Sequence, residues 1–559
     1  TNPYLFNLQT SSILIKFIES VMSQFNSNRR QFLFSLAGMS SLALFSGLNP
    51  VKTWANAKFS TNPFQLGVAS GDPWPDGFVI WTRVAPFPLS VDGGMPNKAV
   101  DVKWEIALDP LFKNIVKTGT AQAHPDLHHT IHVEVTGLKS MTRYYYRFSI
   151  ANYVSPTGTA KSAPAPNQMP EKVSIAIVGC QHYEAGYYTA YDYLSKEPDI
   201  DLVFHYGDYI YEGVAGKGSG RGYGDLHVSL PERQHTGPEI KTLLQYRIRH
   251  SQYRSDKDLQ ASHAASAYAM TFDDHEVDND WGADIEEKGE KKDIFLLRRA
   301  AAFQAWYEYM PVRLKQKPNG PDILAYRSLD FGQMLRINLL DTRQFRSPVL
   351  CTPAKIEKGY DKTNYCRTES TPDEQFLGTV QEAWLDKQMQ HDKRWNIIAQ
   401  QVQVMPWLRY NKAGEAYFSK DTWNGYPYAR KRLIESIKQN APNGNTVILS
   451  GDLHQYFAGN IPSDLEDYNS PSIATEFLTT SISSVGDGQP IRPGHEDVLK
   501  LNPHIKFNND QRGYQILNFY KDHMRTDLKV LDFVEKLGGT LSTIASFEVE
   551  YGKPELKRV

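Results

Sequence analysis

Short runs of alternating apolar and polar residues fill the chain between residues 63 and 155. The clearest of them, which read as strands separated by turn residues, lie at 77–83, 102–107, 132–135 and 144–150. Closely spaced, aromatic-rich strands of this kind predict a small β-sandwich. The segment at 155–170 is rich in proline and has the composition of a linker, so we place a domain boundary before residue 171.

From residue 171 to residue 559 the pattern changes to fully apolar runs separated by helix-like periodicity. The apolar runs lie at 173–178, 202–204, 268–272, 335–340, 396–399 and 446–449, and the helical patterns at 292–309 and 372–392. Buried strands that alternate with helices are typical of an α/β fold. We therefore predict an N-terminal β-sandwich (63–155) followed by an α/β domain (171–559).

The first 57 residues follow the order of an export signal, in which basic residues precede apolar and then small ones. Arg29 and Arg30 precede an apolar stretch at 36–48, and the triplet Ala-Asn-Ala at 55–57 has the form of a cleavage site. We expect translation to start at Met22. We expect no stable membrane anchor, because about a dozen apolar residues cannot cross a bilayer that needs roughly 20.

Arg29 and Arg30, followed by Phe32 and Leu33, resemble a twin-arginine signal. That resemblance implies a bacterial chain that the twin-arginine export machinery carries, already folded, to the periplasm or the medium. An ordinary secretory signal that carries two arginines is the alternative.

Composition narrows the possible classes of function. The 559 residues include 61 Lys and Arg against 63 Asp and Glu, a net charge of −2, and 41% are hydrophobic. Such a chain can bury a large core, which argues against disorder and against nucleic-acid packaging. The basic runs at 247–250 and 430–432 are more often solvated helix faces, so we expect no dedicated nucleic-acid binding.

Five of the apolar runs end in potential metal ligands. In chain order these are Cys180, Asp208 with Tyr211, the group Asp273-Asp274-His275-Glu276, Asp341, and Asp452 with His454. Taken singly, each is more often a buried cysteine, a turn aspartate, a core histidine or a packing tyrosine. In α/β sheets, however, ligands collect beyond the carboxyl ends of the strands, which meet at one edge. The convergence of these side chains therefore predicts a metal site.

The types of ligand indicate which metals suit such a site. The thiolate, phenolate and imidazole of Cys180, Tyr211 and His454 favour a transition metal such as ferric iron. Hard oxygen ligands for calcium, magnesium or manganese come from Asp208, Asp273, Asp274, Asn279 and Asp452. The sequence has no Cys-x-x-Cys or His-Glu-x-x-His grouping, which disfavours zinc alone. Two cations that share a carboxylate can bind a phosphate and activate water, so no serine nucleophile is needed.

Six segments together resemble the alkaline phosphatase D family of metallophosphoesterases, which is related more distantly to purple acid phosphatases. They lie at 67–73, 180–188, 205–212, 272–277, 340–344 and 451–454. The resemblance implies a two-sheet α/β metallophosphoesterase sandwich after the β-sandwich, with a ferric ion (Fe3+) and calcium (Ca2+). It also implies hydrolysis of phosphomonoesters and phosphodiesters at alkaline pH by attack of a metal-bound water or hydroxide.

The same resemblance assigns roles to individual residues. The implied iron ligands are Cys180, Asp208, Tyr211 and His454, with Asp208 as the bridge, and the implied calcium ligands are Asp273, Asp452 and Asn279. The chain departs from the family around Asn279, where Asp278-Asn279-Asp280 replaces a pair of asparagines. We expect His275 and Arg343 to contact the phosphate, and His275 to act as the general acid.

The function expected from these features is that of an exported, monomeric alkaline phosphatase that releases inorganic phosphate from organic esters for phosphate acquisition. A specialised phosphodiesterase, phospholipase or nuclease on the same metal site is the alternative within enzymes. A binding protein that has lost its metals is disfavoured, because all five ligand motifs keep coordinating residues.

Cys351 and Cys366 lie in a segment that reads as an inserted loop. In an oxidising compartment we expect them to form a disulfide, with two free thiols as the alternative. Cys180 is then the odd cysteine, which fits a metal ligand better than a bridge.

Overall fold

A computed structural model describes residues 59–218, 228–363, 365–411 and 413–559 of the chain. The predicted export region at 1–57, with Met22, Arg29 and Arg30, lies outside the described residues. Among the helices of the described ranges, none combines the length and the hydrophobicity needed to cross a membrane.

The described residues form 24 strands, numbered in chain order. Their bounds are β1 Val68–Trp74, β2 Gly77–Arg83, β3 Val100–Ala107, β4 Ile115–Ala123, β5 Thr130–Val135, β6 Arg143–Ile150, β7 Tyr153–Val154, β8 Gly158–Lys161, β9 Val173–Val178, β10 Leu202–His205, β11 Ala267–Met270, β12 Arg327–Phe331, β13 Leu335–Leu339, β14 Trp395–Ala399, β15 Arg409–Tyr410, β16 Ala416–Tyr417, β17 Thr446–Ser450, β18 Tyr456–Asp464, β19 Asp467–Leu478, β20 Ile505–Asn509, β21 Gly513–Phe519, β22 His523–Leu531, β23 Leu541–Glu550 and β24 Lys553–Arg558.

Eight α-helices lie within the same described ranges. They are α1 Thr189–Ser195, α2 Leu243–Arg254, α3 Lys257–Ala265, α4 Lys292–Tyr309, α5 Pro353–Glu357, α6 Thr379–Met389, α7 Pro427–Asn440 and α8 Val498–Leu501. Short 3₁₀ turns lie at Pro125–Leu127, Pro231–Arg233, Leu314–Gln316, Tyr360–Thr363 and Trp423–Gly425.

Two large sheets form the centre of the fold. Ten strands make the first sheet, in the order β24-β23-β22-β21-β9-β10-β11-β1-β2-β5, and β9, β10, β11 and β1 run parallel to their neighbours within that group. Seven strands make the second sheet, in the order β12-β13-β14-β17-β19-β18-β20, with parallel pairing from β13 through β14 and β17 to β19.

The two sheets pack face to face, and helices cover their outer faces. Ile175 and Ile177 of β9 belong to the apolar layer between the sheets, together with Ile337 and Ile397 of the second sheet. The alternate residues of β9, Ala176 and Val178, instead join a cluster with helices α1, α2, α3 and α4. Helices α6 and α7 pack on the other face of the second sheet. Because both faces of each sheet are covered, the central strands β9, β10, β14 and β17 are buried at every position and mostly apolar.

The N-terminal strands form a second, smaller sandwich. One layer is a five-stranded sheet in which β4, β3, β6 and β7 are neighbours and β8 also pairs with β6. Its core residues, among them Trp104 and Phe148, pack with Phe78 and Ile80 of β2. The opposite layer is therefore β1, β2 and β5, which are also the end of the ten-stranded sheet. This arrangement confirms the predicted fold class, a β-sandwich followed by a two-sheet α/β sandwich.

One predicted helix is shorter than expected. The pattern at 372–392 predicted a single helix, but α6 begins only at Thr379 and ends at Met389. Gly378 directly before it has a φ of 73°, which no helical residue adopts. Phe376 and Leu377 are nevertheless buried in the core beneath α6 and α7, so their apolar character reflects irregular packing rather than a helix face.

The predicted disulfide is confirmed. Cys351 and Cys366 are bonded, with a sequence separation of 15, and Cys180 is a free, buried cysteine. The bridge closes a loop that contains α5, and Lys420 donates from Nζ to the carbonyl oxygen of Cys351.

Candidate metal centre

The side chains that the sequence singled out follow strands from both large sheets. Cys180, Asp208 and Asp273 come two or three residues after the adjacent strands β9, β10 and β11, and Asp452 comes two residues after β17 of the second sheet. Because these strands are parallel to their neighbours, their carboxyl ends lie at the same side of each sheet. The centre is thus built from loops that both sheets contribute.

Several of these residues have a left-handed backbone. The φ angles are 50° at Cys180, 55° at Asp208, 67° at Asp452 and 57° at His454. Non-glycine residues pay about 1–3 kcal/mol for such a conformation, and it concentrates at functional sites. The glycines before two of these residues admit a close aromatic neighbour, since a Cβ atom at Gly179 or Gly451 would lie 2.3 Å from Cε2 of Tyr206.

One group of potential ligands mixes sulfur, nitrogen and oxygen. Ligand atoms of Cys180, Asp208 and His454 lie within 4.8 Å of one another. Cys180 Sγ lies 3.3 Å from Asp208 Oδ2, and the Tyr211 hydroxyl donates to the same oxygen at 2.8 Å. The Tyr211 oxygen is also 3.4 Å from Nε2 of His454. All four predicted transition-metal ligands are therefore together, and all are buried.

A second group is made of carboxylates and adjoins the first. Asp273, Asp274 and Asp452 have ligand atoms within 4.8 Å of one another, and so do Asp208, Asp274 and His275. Asp274 belongs to both sets, and the second set contains Asp208 from the mixed group. The two groups are thus contiguous, as two neighbouring cations would require.

The electrostatics of these groups fit bound cations. Burial, and then the nearby Asp274 and Asp273 carboxylates, raise the pKa of Asp208 well above its usual value, against the opposing effect of His275. Burial raises the pKa of Asp273 to about 6 even though Arg343 lowers it. Asp208 Oδ1 and Asp273 Oδ2 are buried without a hydrogen-bond partner among the described residues. Buried carboxylate oxygens need a partner, and a divalent or trivalent cation supplies one.

The pKa values of the thiol and the phenol in the mixed group are also raised. Burial, and then Asp208, raise the pKa of Cys180 well above its usual value. Burial, Asp208 and Cys180 do the same to the pKa of Tyr211. Neither group would ionise here without a compensating positive charge, which a bound transition-metal cation would provide.

His275 is held by a carboxylate outside the ligand groups. Its Nδ1 lies 2.7 Å from Glu212 Oε2, and its ring lies over that of Tyr211, with centroids 4.1 Å apart. Burial disfavours the imidazolium, but Glu212, Asp274 and Asp208 outweigh it and raise the pKa of His275 well above its usual value. The other oxygen of Glu212 accepts the backbone N–H of Asn279 at 3.1 Å.

Two predicted site residues have surroundings that sequence reasoning did not anticipate. Arg343 is fully buried, and it donates from Nε to Asp273 and from Nη1 to Asp421. Its Nη2 forms an ion pair with the other oxygen of Asp421 at 2.9 Å. Asn279 lies beside the His275–Glu212 pair through its backbone. The phosphate contact of Arg343 and the calcium contact of Asn279 stay predictions.

Asp341 has a structural position rather than a place among the ligands. It follows β13, yet its Oδ1 accepts the backbone N–H groups of Arg343 and Gln344, each at 3.0 Å. Among the described residues it belongs to none of the groups that could hold a metal. It fixes the turn that carries Arg343.

Two further residues at the centre, Glu276 and Asp421, were given no individual role from the sequence. Glu276 accepts the backbone N–H groups of Asp208, Tyr209 and Asp273 at 3.1, 2.6 and 2.8 Å, so it ties two ligand loops together. Asp421, with Asp274 and Asp280, forms a further acidic group. Glu276 stood in a motif already noted, whereas Asp421 lies in a loop with no motif to mark it.

Comparison with known proteins gives consistent matches over most of the chain. The family described as "PhoD-like phosphatase" matches residues 175–528, and "PhoD-like phosphatase, N-terminal domain" matches residues 50–164. Alkaline phosphatase D of Bacillus subtilis (strain 168) is 42% identical over 540 residues, which are 95% of this chain and 89% of that protein. A solved structure titled "Structure of PhoD" has a TM-score of 0.82 and 43% identity, covering 90% of this chain and 93% of its own.

Proposed function

The chain belongs to the PhoD-like phosphatase family and is a phosphoric ester hydrolase, and from that premise we propose that it hydrolyses both phosphomonoesters and phosphodiesters and releases inorganic phosphate. The observation that carries the proposal is the contiguity of the mixed group (Cys180, Asp208, Tyr211, His454) with the carboxylate group (Asp273, Asp274, Asp452). A pair of neighbouring cations is the standard means of binding a phosphoryl group and stabilising its displacement.

We propose Fe3+ for the mixed group and Ca2+ for the carboxylate group, with Asp208 as the shared ligand. The thiolate, phenolate and imidazole donors support a transition metal, and the carboxylates support a hard cation. When bound, the two ions supply Lewis-acid stabilisation of the phosphoryl oxygens and activation of water. Asn279 is a further candidate ligand of Ca2+.

The protein's own side chains then handle protons and orientation. Glu212 occupies Nδ1 of His275, so His275 offers the opposite ring nitrogen to the ester. The Glu212 carboxylate raises the pKa of His275 and so favours its imidazolium form, which can give a proton to the leaving oxygen. Arg343 holds Asp273 in a fixed orientation through its Nε contact, and we propose that it also contributes positive charge near the phosphate.

The proposal is tested on protein purified without chelator. Elemental analysis should find iron and calcium, and the protein should hydrolyse p-nitrophenyl phosphate and bis(p-nitrophenyl) phosphate, with free phosphate released from the first. Asp208→Ala should lose activity on both esters, since it removes the shared ligand. Asp341→Asn is the matched control, because that buried carboxylate lies outside the ligand groups. Activity on neither ester in metal-replete protein would contradict the proposal.

We propose export by the twin-arginine route as a separate point, supported by the sequence of the signal region alone. Changing Arg29 and Arg30 to Lys should leave an active precursor inside the cell, because the changes spare the catalytic sheets. Lys52→Arg, a change of the same size downstream in that region, should be exported normally. Mature enzyme at normal levels outside the cytoplasm in the double variant would refute this route.

A further inference from the structure

The loop after β19 runs along the loop after β9. Backbone N–H groups of Ile482 and Ser484 donate to the carbonyl oxygens of Gly179 and Cys180 at 3.0 and 3.2 Å. Ser483 donates from Oγ to the carbonyl oxygen of His182 at 2.9 Å. The segment that contains Ser483 and Ser484 is thus fixed against the segment that carries Cys180, although about 300 residues separate them in the chain.

The Ser484 hydroxyl lies where three parts of the centre meet. It donates to the carbonyl oxygen of Cys180 at 2.6 Å and accepts the backbone N–H of His182 at 3.2 Å. Its third neighbour is the Tyr211 hydroxyl oxygen, at 2.7 Å. Ser484 is fully buried, so water does not compete for these bonds.

Counting hydrogens shows what this hydroxyl can do for Tyr211. A serine hydroxyl has one hydrogen and two lone pairs. The carbonyl of Cys180 already receives the backbone N–H of Ser484, so it keeps a donor when the hydroxyl hydrogen turns towards Tyr211. A tyrosine oxygen that binds a metal has no hydrogen of its own and can only accept. Ser484 is then the neighbouring hydroxyl that can donate to it, without leaving a buried carbonyl unbonded.

We infer that Ser484 is a positioning residue for Tyr211, which holds the phenol oxygen in its ligand position and donates a hydrogen bond to it. The inference rests on the proposed function, since it takes Tyr211 as a ligand of Fe3+. Groups that hydrogen-bond to a metal ligand orient it and adjust how strongly it donates electrons to the metal. Ser483, which is adjacent and equally buried but contacts His182 instead, offers a matched control.

The test compares Ser484→Ala, Ser483→Ala and the unchanged protein, each loaded with Fe3+. A phenolate bound to ferric iron absorbs visible light by charge transfer from the ring to the metal. Removing the hydrogen bond makes the phenolate more electron-rich, so the band of Ser484→Ala should move to longer wavelength. Its affinity for Fe3+ should fall by about 10–100-fold. Ser483→Ala should keep both the band and the affinity of the unchanged protein.

Each outcome separates this inference from the proposed function. A normal band in the unchanged protein that stays in place in Ser484→Ala, with unchanged affinity, overturns the role of Ser484 alone. Absence of any phenolate band in the Fe3+-loaded unchanged protein overturns the assignment of Tyr211 as well. An equal shift in Ser483→Ala would mean that the loop acts as a whole, and it too overturns the specific role.

A second measurement needs no variant, in case Ser484→Ala does not fold. Protein made in H2O, then exchanged in the metal-free state and loaded with Fe3+ in D2O, carries deuterium on the Ser484 hydroxyl but not on the tyrosine ring. A direct bond therefore makes the C–O vibration of the metal-bound phenolate sensitive to the isotope. Resonance Raman spectra in H2O and D2O should therefore differ at that band. Identical spectra would overturn the inference.

Discussion

Arg343 and Asp273 form a buried ion pair in which Nε donates to Oδ1 at 2.5 Å, and neither side chain is more than 1% exposed. The same guanidinium binds both oxygens of Asp421 at 2.9 Å. One arginine therefore joins a predicted calcium ligand to a loop that lies about 150 residues further along the chain. Loss of this arginine should therefore lower the stability of the fold, whatever its effect on substrate.

Arg343→Met should destabilise the metal-free protein by about 3–5 kcal/mol, because it leaves the buried carboxylate of Asp273 without its arginine partner. Asp421 keeps a second partner, Arg346, at 2.7 Å. The free energy of unfolding in urea, measured with chelator present, checks this value. Arg336→Met is the matched control, since its partner Asp330 is 37% exposed and exposed pairs contribute at most about 1 kcal/mol. Equal losses in the two variants would show that the burial of the pair has no effect.

Cys180→Ser should lose Fe3+ and retain Ca2+. The change replaces a thiolate by a neutral hydroxyl in the mixed group, whereas the carboxylate group of Asp273, Asp274 and Asp452 stays intact. Elemental analysis of the purified variant gives the result. The double change of Cys351 and Cys366 to Ser removes sulfur elsewhere and should keep both metals. Unchanged iron in Cys180→Ser would make Cys180 a structural cysteine.

His275→Ala should affect esters in proportion to how poor their leaving group is. General acid catalysis contributes about 10²–10⁴-fold when an alkoxide must depart and little when a stable phenolate departs. The variant should therefore lose much more kcat/KM on an alkyl phosphate than on p-nitrophenyl phosphate. Equal losses on the two esters, with both metals retained, would assign His275 a positioning role instead.

The metal-free protein should lose stability as the pH rises through about 6 to 7. Burial raises the pKa of Asp273 from 3.8 to about 6 and that of Glu276 from 4.5 to about 7. The folded state therefore binds protons more tightly than the unfolded state, and the stabilisation present below about pH 4 is lost above these folded pKa values. Urea midpoints measured from pH 4 to 8, with chelator present, test this expectation.

The metal-loaded protein provides the comparison for that pH series. Cations that neutralise the carboxylates of the site should remove the contribution of Asp273 to the change in stability with pH. Glu476 has its pKa raised to about 7 by burial but binds Ser450 and backbone N–H groups away from the ligand groups. Glu476→Gln should thus reduce the pH dependence of stability by the same amount in the metal-free and the metal-loaded protein. Identical slopes with and without metal would contradict a cation site at Asp273.

The strands and helices could be predicted wherever burial is uniform. The apolar run at 173–178 coincides with β9, and the helical pattern at 292–309 coincides with α4. The pattern at 372–392 misled because Phe376 and Leu377 are buried without being helical. The periodicity of hydrophobic residues shows which side chains are buried. It indicates a helix only where the backbone is also regular.

The ligand groups could be predicted because parallel strands bring their carboxyl ends together, which is a property of topology alone. The contacts that surround the ligands could not. Glu212 reaches His275, and Ser484 reaches Tyr211, only through the folded geometry of loops. Asp341 is the opposite case. Its position directly after a strand suggested a metal ligand, but its carboxylate accepts backbone N–H groups and fixes a turn.

The pairing of β9 with β21 has a consequence for how the chain is made. Ile177, three residues before Cys180, pairs in register with Gln515. On the other side of β9 in the same sheet, β1 cannot pair until Ala267 of β11 has been synthesised. A ribosome that adds about 5–20 residues per second must therefore synthesise the chain as far as β21 before the catalytic sheet can close. Until then β9 has an open edge, a state that invites aggregation. The active centre is thus assembled only after most of its residues have been synthesised. In that interval a chaperone could bind the exposed edge of β9 and prevent aggregation.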